Sequence, residues 1–119
     1  MNHDCTFYKT MDFLAKRWTI LILLELQKGE QEWKRFSAIR DSMKDVTPKV
    51  LSERLKDLEA EGLVLKRVDT SAFPIKSEYK LTEAGEELVE TVKQIKYWAL
   101  KWKFTNDICL LQDCHSCKL

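Results

Sequence analysis

No stretch of this chain constrains its fold more tightly than the one between Thr47-Pro48 and Gly62, which holds Leu51, Leu55 and Leu58. A threonine can cap the first free amides of a helix through its hydroxyl, worth about 1 kcal/mol. A proline in the first helical position loses nothing, because its missing N–H would have had no partner there. The pair therefore predicts a helix over Pro48–Glu61, ended by Gly62. At about 100° per residue the three leucines line one face. Lys49, Ser52 and Lys56 fall on the opposite face, with Glu53 and Ala60 at its margin. Leu63–Asp69 then alternates as a strand does, Thr70–Lys76 is polar and contains a proline, and Ser77–Leu81 reads as a second short strand. The result is a helix with a leucine underside followed by a two-stranded hairpin with a loop of about seven residues.

The segments before and after it are helical. Asp12–Leu26 is dense in apolar residues on every side, which suits a buried helix, or two helices meeting near Lys16-Arg17. Lys28-Gly29 ends it. Gln31–Lys34 reads as a short strand. Phe36, Ile39 and Met43 give one short amphipathic helix over Phe36–Met43. Thr82 can cap a last helix extending to about Phe104. On that helix Leu81, Leu88, Val92, Ile95, Ala99 and Trp102 follow a four-three register with Gly85 in the missing step, the pattern of a packing seam. Its glutamates (Glu83, Glu86, Glu87, Glu90) precede its lysines (Lys93, Lys96, Lys101, Lys103), as the helix dipole favours. Val89 and Trp98 lie off the seam. Such a helix can pack on its own domain with one face and on a partner subunit with another.

Helix, helix, short strand, helix, helix, strand, loop, strand, helix is the order of a winged helix-turn-helix. The expected fold is mainly α with a small β-hairpin, and its long last helix has a face free for dimerisation. With 119 residues the chain has room for one domain. We assign residues 1–104 to DNA binding and dimerisation and 105–119 to a cysteine-rich C-terminal tail. With 3 Gly and 2 Pro the chain has too few turn residues for an all-β sandwich. Its longest apolar run, Ile20–Leu24, falls far short of the roughly 18–20 residues of a membrane span. The start, Met1-Asn2-His3-Asp4-Cys5, lacks the basic and apolar regions of a signal peptide. A cytoplasmic protein without a membrane partner is expected. No Ser/His/Asp set, glycine-rich phosphate loop or catalytic carboxylate pair is present, so no catalysis is expected.

In a helix-turn-helix the helix from Thr47 would enter the DNA major groove with its N-terminal residues foremost, and the hairpin would be the wing. Net charge is only +1, so distribution matters more than the total. From Lys34 to Asp57 seven basic residues face four acidic ones, a net +3. The candidate DNA-binding residues are Arg35, Thr47, Pro48, Lys49, Ser52, Arg54 and Lys56, with Lys66, Arg67 and Lys76 on the wing. Arg54 sits at the edge of the leucine face, where it can reach phosphate or pair with a nearby acid. Trp18, Trp33, Trp98 and Trp102 suit core and dimer packing, with an effector pocket near the dimer seam as the other reading.

Cys114-His115-Ser116-Cys117 is a C-x-x-C, with Cys109 five residues earlier and Cys5 near the other end. Two thiols at that spacing can close a disulfide or grip one metal ion. Four cysteines match in number a tetrahedral zinc site or an iron–sulfur cluster. The usual second C-x-x-C is missing. Redox or electrophile sensing, metal holding and no role all remain open on the residues alone.

The chain resembles the HxlR family of winged-helix transcription regulators, relatives of MarR. The resemblance rests on Cys5 ahead of an apolar helix, Lys16-Arg17-Trp18-Thr19-Ile20-Leu21-Ile22-Leu23 and Arg35-Phe36-Ser37-Ala38-Ile39. It continues through Thr47-Pro48-Lys49-Val50-Leu51-Ser52-Glu53-Arg54-Leu55-Lys56-Asp57-Leu58-Glu59, Gly62-Leu63-Val64 and Glu78-Tyr79-Lys80-Leu81-Thr82-Glu83-Ala84-Gly85. Leu-Thr-x-x-Gly alone is common among winged helices; the whole set in order at these spacings is specific, and it spans roughly residues 5–104. Two departures stand out. Leu14-Ala15 replaces a usual glycine pair, and the tail Cys109–Leu119 lies beyond the family pattern. The resemblance implies a homodimer built from the N-terminal segment and the last helix, bound to a near-palindromic operator in double-stranded DNA. Several relatives sense oxidants or electrophiles through a cysteine placed like Cys5, so it also implies redox sensing, with Cys5, Cys109, Cys114 and Cys117 as candidates. A metal- or cluster-binding thiol redox protein using Cys114 and Cys117 is the alternative from another class. A winged helix used for protein–protein contact is a third.

Overall fold

The computed structural model describes residues 1–71 and 73–118; Ala72, in the expected hairpin loop, and Leu119, at the end of the expected tail, lie outside them. The apolar N-terminal segment is two helices, α1 (Thr6–Leu14) and α2 (Thr19–Gln27). Trp18 makes the break. Its φ of 80° is left-handed, a conformation that costs an L-residue roughly 1–2 kcal/mol. The all-round apolar composition of α2 finds its reason in burial: Ile22, Leu23 and Leu26 are at most 3% exposed.

The helix-turn-helix follows as α3 (Phe36–Ser42) and α4 (Pro48–Ala60). Val46 is buried in the turn between them. Thr47 caps α4 as expected, its Oγ1 accepting from the Val50 amide at 3.2 Å. Gly62, at φ 77°, takes the left-handed conformation that ends the helix. Leu51, Leu55 and Leu58 are all essentially fully buried. Leu55→Ala would cost about 2–5 kcal/mol by the usual cavity penalty.

The hairpin has the expected strands, and the short strand ahead of α3 pairs with it. Strand β1 (Lys34–Arg35) joins β2 (Val64–Asp69) and β3 (Lys76–Leu81) in an antiparallel sheet of order β1-β3-β2. Lys34 pairs with Tyr79 and Arg35 with Glu78, while Val64 faces Leu81 and Arg67 faces Glu78. The strand expected over Gln31–Lys34 is thus shifted to Lys34–Arg35.

The last long helix, α5, spans Glu83–Trp102. Thr82 Oγ1 accepts from the Gly85 amide at 3.1 Å and donates to the Gly62 carbonyl at 2.7 Å, tying the start of α5 to the end of α4. Gly85 is required there, because a Cβ would lie 2.2 Å from the Leu63 carbonyl oxygen. The expected single seam is divided. Gly85, Val89, Val92 and Lys93 face the chain's own core, so Val89, expected off the seam, is fully buried. Ile95, Trp98 and Trp102, further along, are more than half exposed. A short helix α6 (Asp107–Leu111) starts the tail, which folds back so that the Gly29 amide donates to the His115 carbonyl at 2.9 Å. No helix is long and apolar enough to cross a membrane among the described residues.

Candidate nucleic-acid interface

Burial of the leucine underside turns Lys49, Ser52 and Lys56 of α4 to solvent. No carboxylate pairs with Lys49 or Lys56 among the described residues. Thr47 and Pro48 are exposed at the leading end of the same helix. This is a cationic face with donors free to meet phosphate oxygens and base edges.

Other predicted residues are held by internal partners. Arg54 donates through Nε to the Arg17 carbonyl at 3.1 Å and lies 3.5 Å from Asp57, which Lys16 also reaches at 3.5 Å. It clamps α4 to the turn between α1 and α2. Arg67 donates to Glu78 at 3.1 Å and lies over the Trp33 ring at 4.3 Å. Lys80 lies over the same ring at 5.2 Å and pairs with Glu32 at 2.8 Å. Trp33 is therefore a platform for the wing's cations, a role its sequence position did not announce. Lys66 is exposed, 5.9 Å from the Tyr79 ring. Arg35 lies 3.9 Å from Asp69, across the sheet. Arg35 and Lys76 also line a cavity of about 340 Å³ between the start of α3 and the wing, with Phe36, Ser37, Pro74 and Ile75.

Two lysines with structural roles escaped the sequence reading. Lys34, counted above in the local charge, donates to the carbonyls of Leu26 (2.8 Å), Lys28 and Gln31 (3.4 Å), satisfying the end of α2. Burial pulls its pKa below the ordinary value. Lys93, only 5% exposed, pairs with Glu90 at 3.2 Å and with Asp113 of the tail at 3.0 Å. Burial alone would lower its pKa, but hydrogen bonds to Asp113 and Glu90 outweigh that and raise it. Asp113 is held below the usual carboxylate value, chiefly by the Lys93 hydrogen bond. Lys96 adds a second tie, donating to the Gln112 carbonyl at 3.0 Å and lying 3.9 Å from Cys114 Sγ. The one available signal for Lys93 was its position four residues after Val89, on the core-facing stripe.

All four cysteines are thiols, each partly exposed. Cys109, Cys114 and Cys117 line one cavity of about 300 Å³ with Trp18, Leu21 and Met43; Cys5, at the start of α1, is not in its wall. Among the described residues no three His, Cys, Asp or Glu side chains are close enough to hold a metal ion.

Comparison with known proteins gives the same outline. The family model for the HxlR-like helix-turn-helix matches residues 13–107. The chain is 43% identical over 96 residues to the uncharacterized HTH-type transcriptional regulator YvaP of Bacillus subtilis, covering 81% of this chain and 85% of that protein. Among solved structures it is similar to the reduced form of the transcriptional regulator YodB from B. subtilis, with TM-score 0.70 and 33% identity, covering 87% of this chain and 98% of that one. It is also similar to the redox regulator HypR in its oxidized form, with TM-score 0.70 and 31% identity, covering 85% and 100%.

Proposed function

This chain belongs to the HxlR-like family of helix-turn-helix transcriptional regulators, DNA-binding proteins rather than enzymes, and from that premise we propose that it acts as a homodimer on a near-palindromic operator, with an affinity set by its cysteines. The carrying observation is the exposed face of Lys49, Ser52 and Lys56 along α4, on which no carboxylate pairs with either lysine among the described residues. Lysines there would neutralise phosphates, while Thr47, Lys49 and Ser52 reach base edges in the major groove. Arg35, Lys66 and Lys76 would meet the flanking backbone. Arg54 and Arg67 serve by holding α4 and the wing in position.

A palindrome needs two such helices about 34 Å apart, in successive major grooves. The exposed end of α5 supports a dimer: Ile95, Trp98, Trp102 and Phe104 are 56–68% exposed. Apolar residues crowded in this way mark an association surface. Oxidation acts on the same arrangement. Two thiols give two electrons and two protons to an oxidant such as a diazene, which becomes the hydrazine, and a disulfide closes. Its formation in the terminal segments would alter the spacing of the two α4 helices. The redox-regulator name of HypR favours this reading.

Operators selected from random duplexes provide the test. Lys49→Ala and Ser52→Ala should each weaken binding about tenfold and relax sequence choice, with the dimer intact, since one good base contact is worth about 1–3 kcal/mol. Diamide should weaken wild-type binding and dithiothreitol restore it. Unchanged operator affinity in both variants would overturn the assignment of α4; binding indifferent to diamide would remove the redox response.

A further inference from the structure

Resting on the regulator reading above, we infer that the wing tip is an apolar wedge: Phe73 enters the minor groove beside each half-site, partly unstacks one base step and bends the operator. The loop between β2 and β3 carries Phe73, Pro74 and Ile75 in a row. Phe73 is completely exposed, Ile75 is 63% exposed, and Pro74 between them is exposed too. Single apolar residues scattered over a surface are ordinary. Three together at the end of a hairpin make a compact apolar point. The sheet's own core residues, Val64, Tyr79 and Leu81, are buried, so the point is separate from the packing that holds the hairpin.

The stem holds that point out. Strands β2 and β3 pair in register from Val64–Leu81 to Asp69–Lys76, a ladder about 17–20 Å long. At its outer end Asp69 Oδ1 accepts from the Ser71 amide at 3.1 Å and from the Ser71 hydroxyl at 2.6 Å, which fixes the start of the loop. Arg35 reaches the Asp69 carboxylate at 3.9 Å and ties the loop to β1. Pro74 and Ile75 also wall the cavity at the start of α3 with Phe36. A braced stem leaves little ordering to be done on binding.

Charge selects the occupant. Lys76 follows the tip directly and Lys66 lies on the stem, and neither pairs with a carboxylate among the described residues. Arg35 is exposed on the same cavity wall as Lys76. An apolar point among cations suits a polyanion with an apolar interior, as stacked bases behind phosphates are. A protein pocket for the tip would need acids placed around it, whereas a duplex carries its charges at every step. The minor groove, about 6 Å wide, is too narrow for a helix. It does admit single side chains, and phenylalanine is among the wedges that open a base step there and kink the duplex. Opening costs least at the flexible pyrimidine–purine steps, TA and CA. Phe73 thereby reads the flanks of the operator through their deformability, at positions α4 does not touch.

The experiment uses the full chain and operators selected from duplexes with randomised flanks. The fluorescent base 2-aminopurine replaces the adenine of each flanking pyrimidine–purine step in turn, and energy transfer between the duplex ends reports the bend. In the wild-type complex one step on each side should brighten, and the duplex should bend by about 20–90°. Operators with that step should bind about tenfold better than those with a stiff A-tract in its place. Phe73→Ala should abolish the brightening, the bend and the preference. Its dimer and its salt slope should stay as in the wild type, because phenylalanine neutralises no phosphate. Phe73→Leu, still a wedge, should keep all three effects. A dark step and a straight duplex in the wild-type complex, or a Phe73→Ala complex bent as the wild type is, would overturn the inference and leave the regulator reading standing. A monomeric Phe73→Ala would overturn it as well, making the tip a subunit contact. If the wild type selects no operator, the regulator reading fails and the wedge fails with it.

Discussion

Lys34, Arg54 and Lys49 carry the same charge and do different work, because their partners differ. Lys34 is spent on the carbonyls at the end of α2, Arg54 on Arg17 and Asp57, and only Lys49 is left to solvent. A one-dimensional charge count cannot make that distinction, since the partners lie up to 37 residues away. Thr19 shows the converse. It is 2% exposed and its hydroxyl oxygen has no hydrogen-bond partner among the described residues. Burying an unpaired hydroxyl costs about 1–3 kcal/mol, and an apolar group of the same shape avoids that cost. Thr19→Val should therefore raise the stability in urea denaturation by about 1 kcal/mol, with the same m-value. A loss of stability would mean that this hydroxyl is satisfied in solution.

At the scale of elements, the tail is tied down by side chains rather than by its own propensity. The Lys93–Asp113 pair has a definite pH window. Asp113 has a folded pKa below its ordinary value, so its stabilisation is complete above about pH 4 and is lost as the pH falls through the folded value. Lys93 has a folded pKa above its ordinary value, so its share is complete below about pH 10 and is lost as the pH rises further. Hydrogen-exchange protection of the Cys114–Cys117 amides, corrected for intrinsic rates, should be flat between these limits and fall on acidification below about pH 4. Asp113→Asn should remove the protection at neutral pH. Protection in that variant equal to the wild type would show that the tail is held by other contacts.

Elements that signal locally could be read from the sequence. Thr47-Pro48 and Gly62 bound α4 within a residue of expectation, and the leucine face is the core face. The break at Trp18 had no glycine to announce it, and β1 is too short to show an alternating pattern. Docking of the tail depends on a pair twenty residues apart and on a buried lysine, which residue type alone would have left at the surface. The C-x-x-C spacing likewise could not show that Cys109, Cys114 and Cys117 line one cavity with Trp18 and Met43, because those two lie on other elements.

At the scale of the molecule, one chain presents a polar cationic helix face and an apolar helix end. Trp98→Glu would place a charge in the middle of that apolar end. Sedimentation velocity should show a monomer with unchanged circular dichroism, and operator affinity should fall with it. A dimer as tight as the wild type would move the subunit contact elsewhere.

The central claim is that α4 and the wing bind DNA through exposed lysines, and the salt dependence of operator affinity tests it most directly. Each neutralised phosphate contributes about −0.9 to the slope of log K against log salt. Lys49 and Lys56 of both subunits alone should make affinity fall about a hundredfold between 50 and 200 mM salt, and Arg35, Lys66 and Lys76 should steepen that fall. The Lys56→Ala dimer should give a slope shallower by about two, one phosphate for each subunit. An affinity indifferent to salt, with the same slope in Lys56→Ala, would contradict the claim and favour a winged helix that docks on protein.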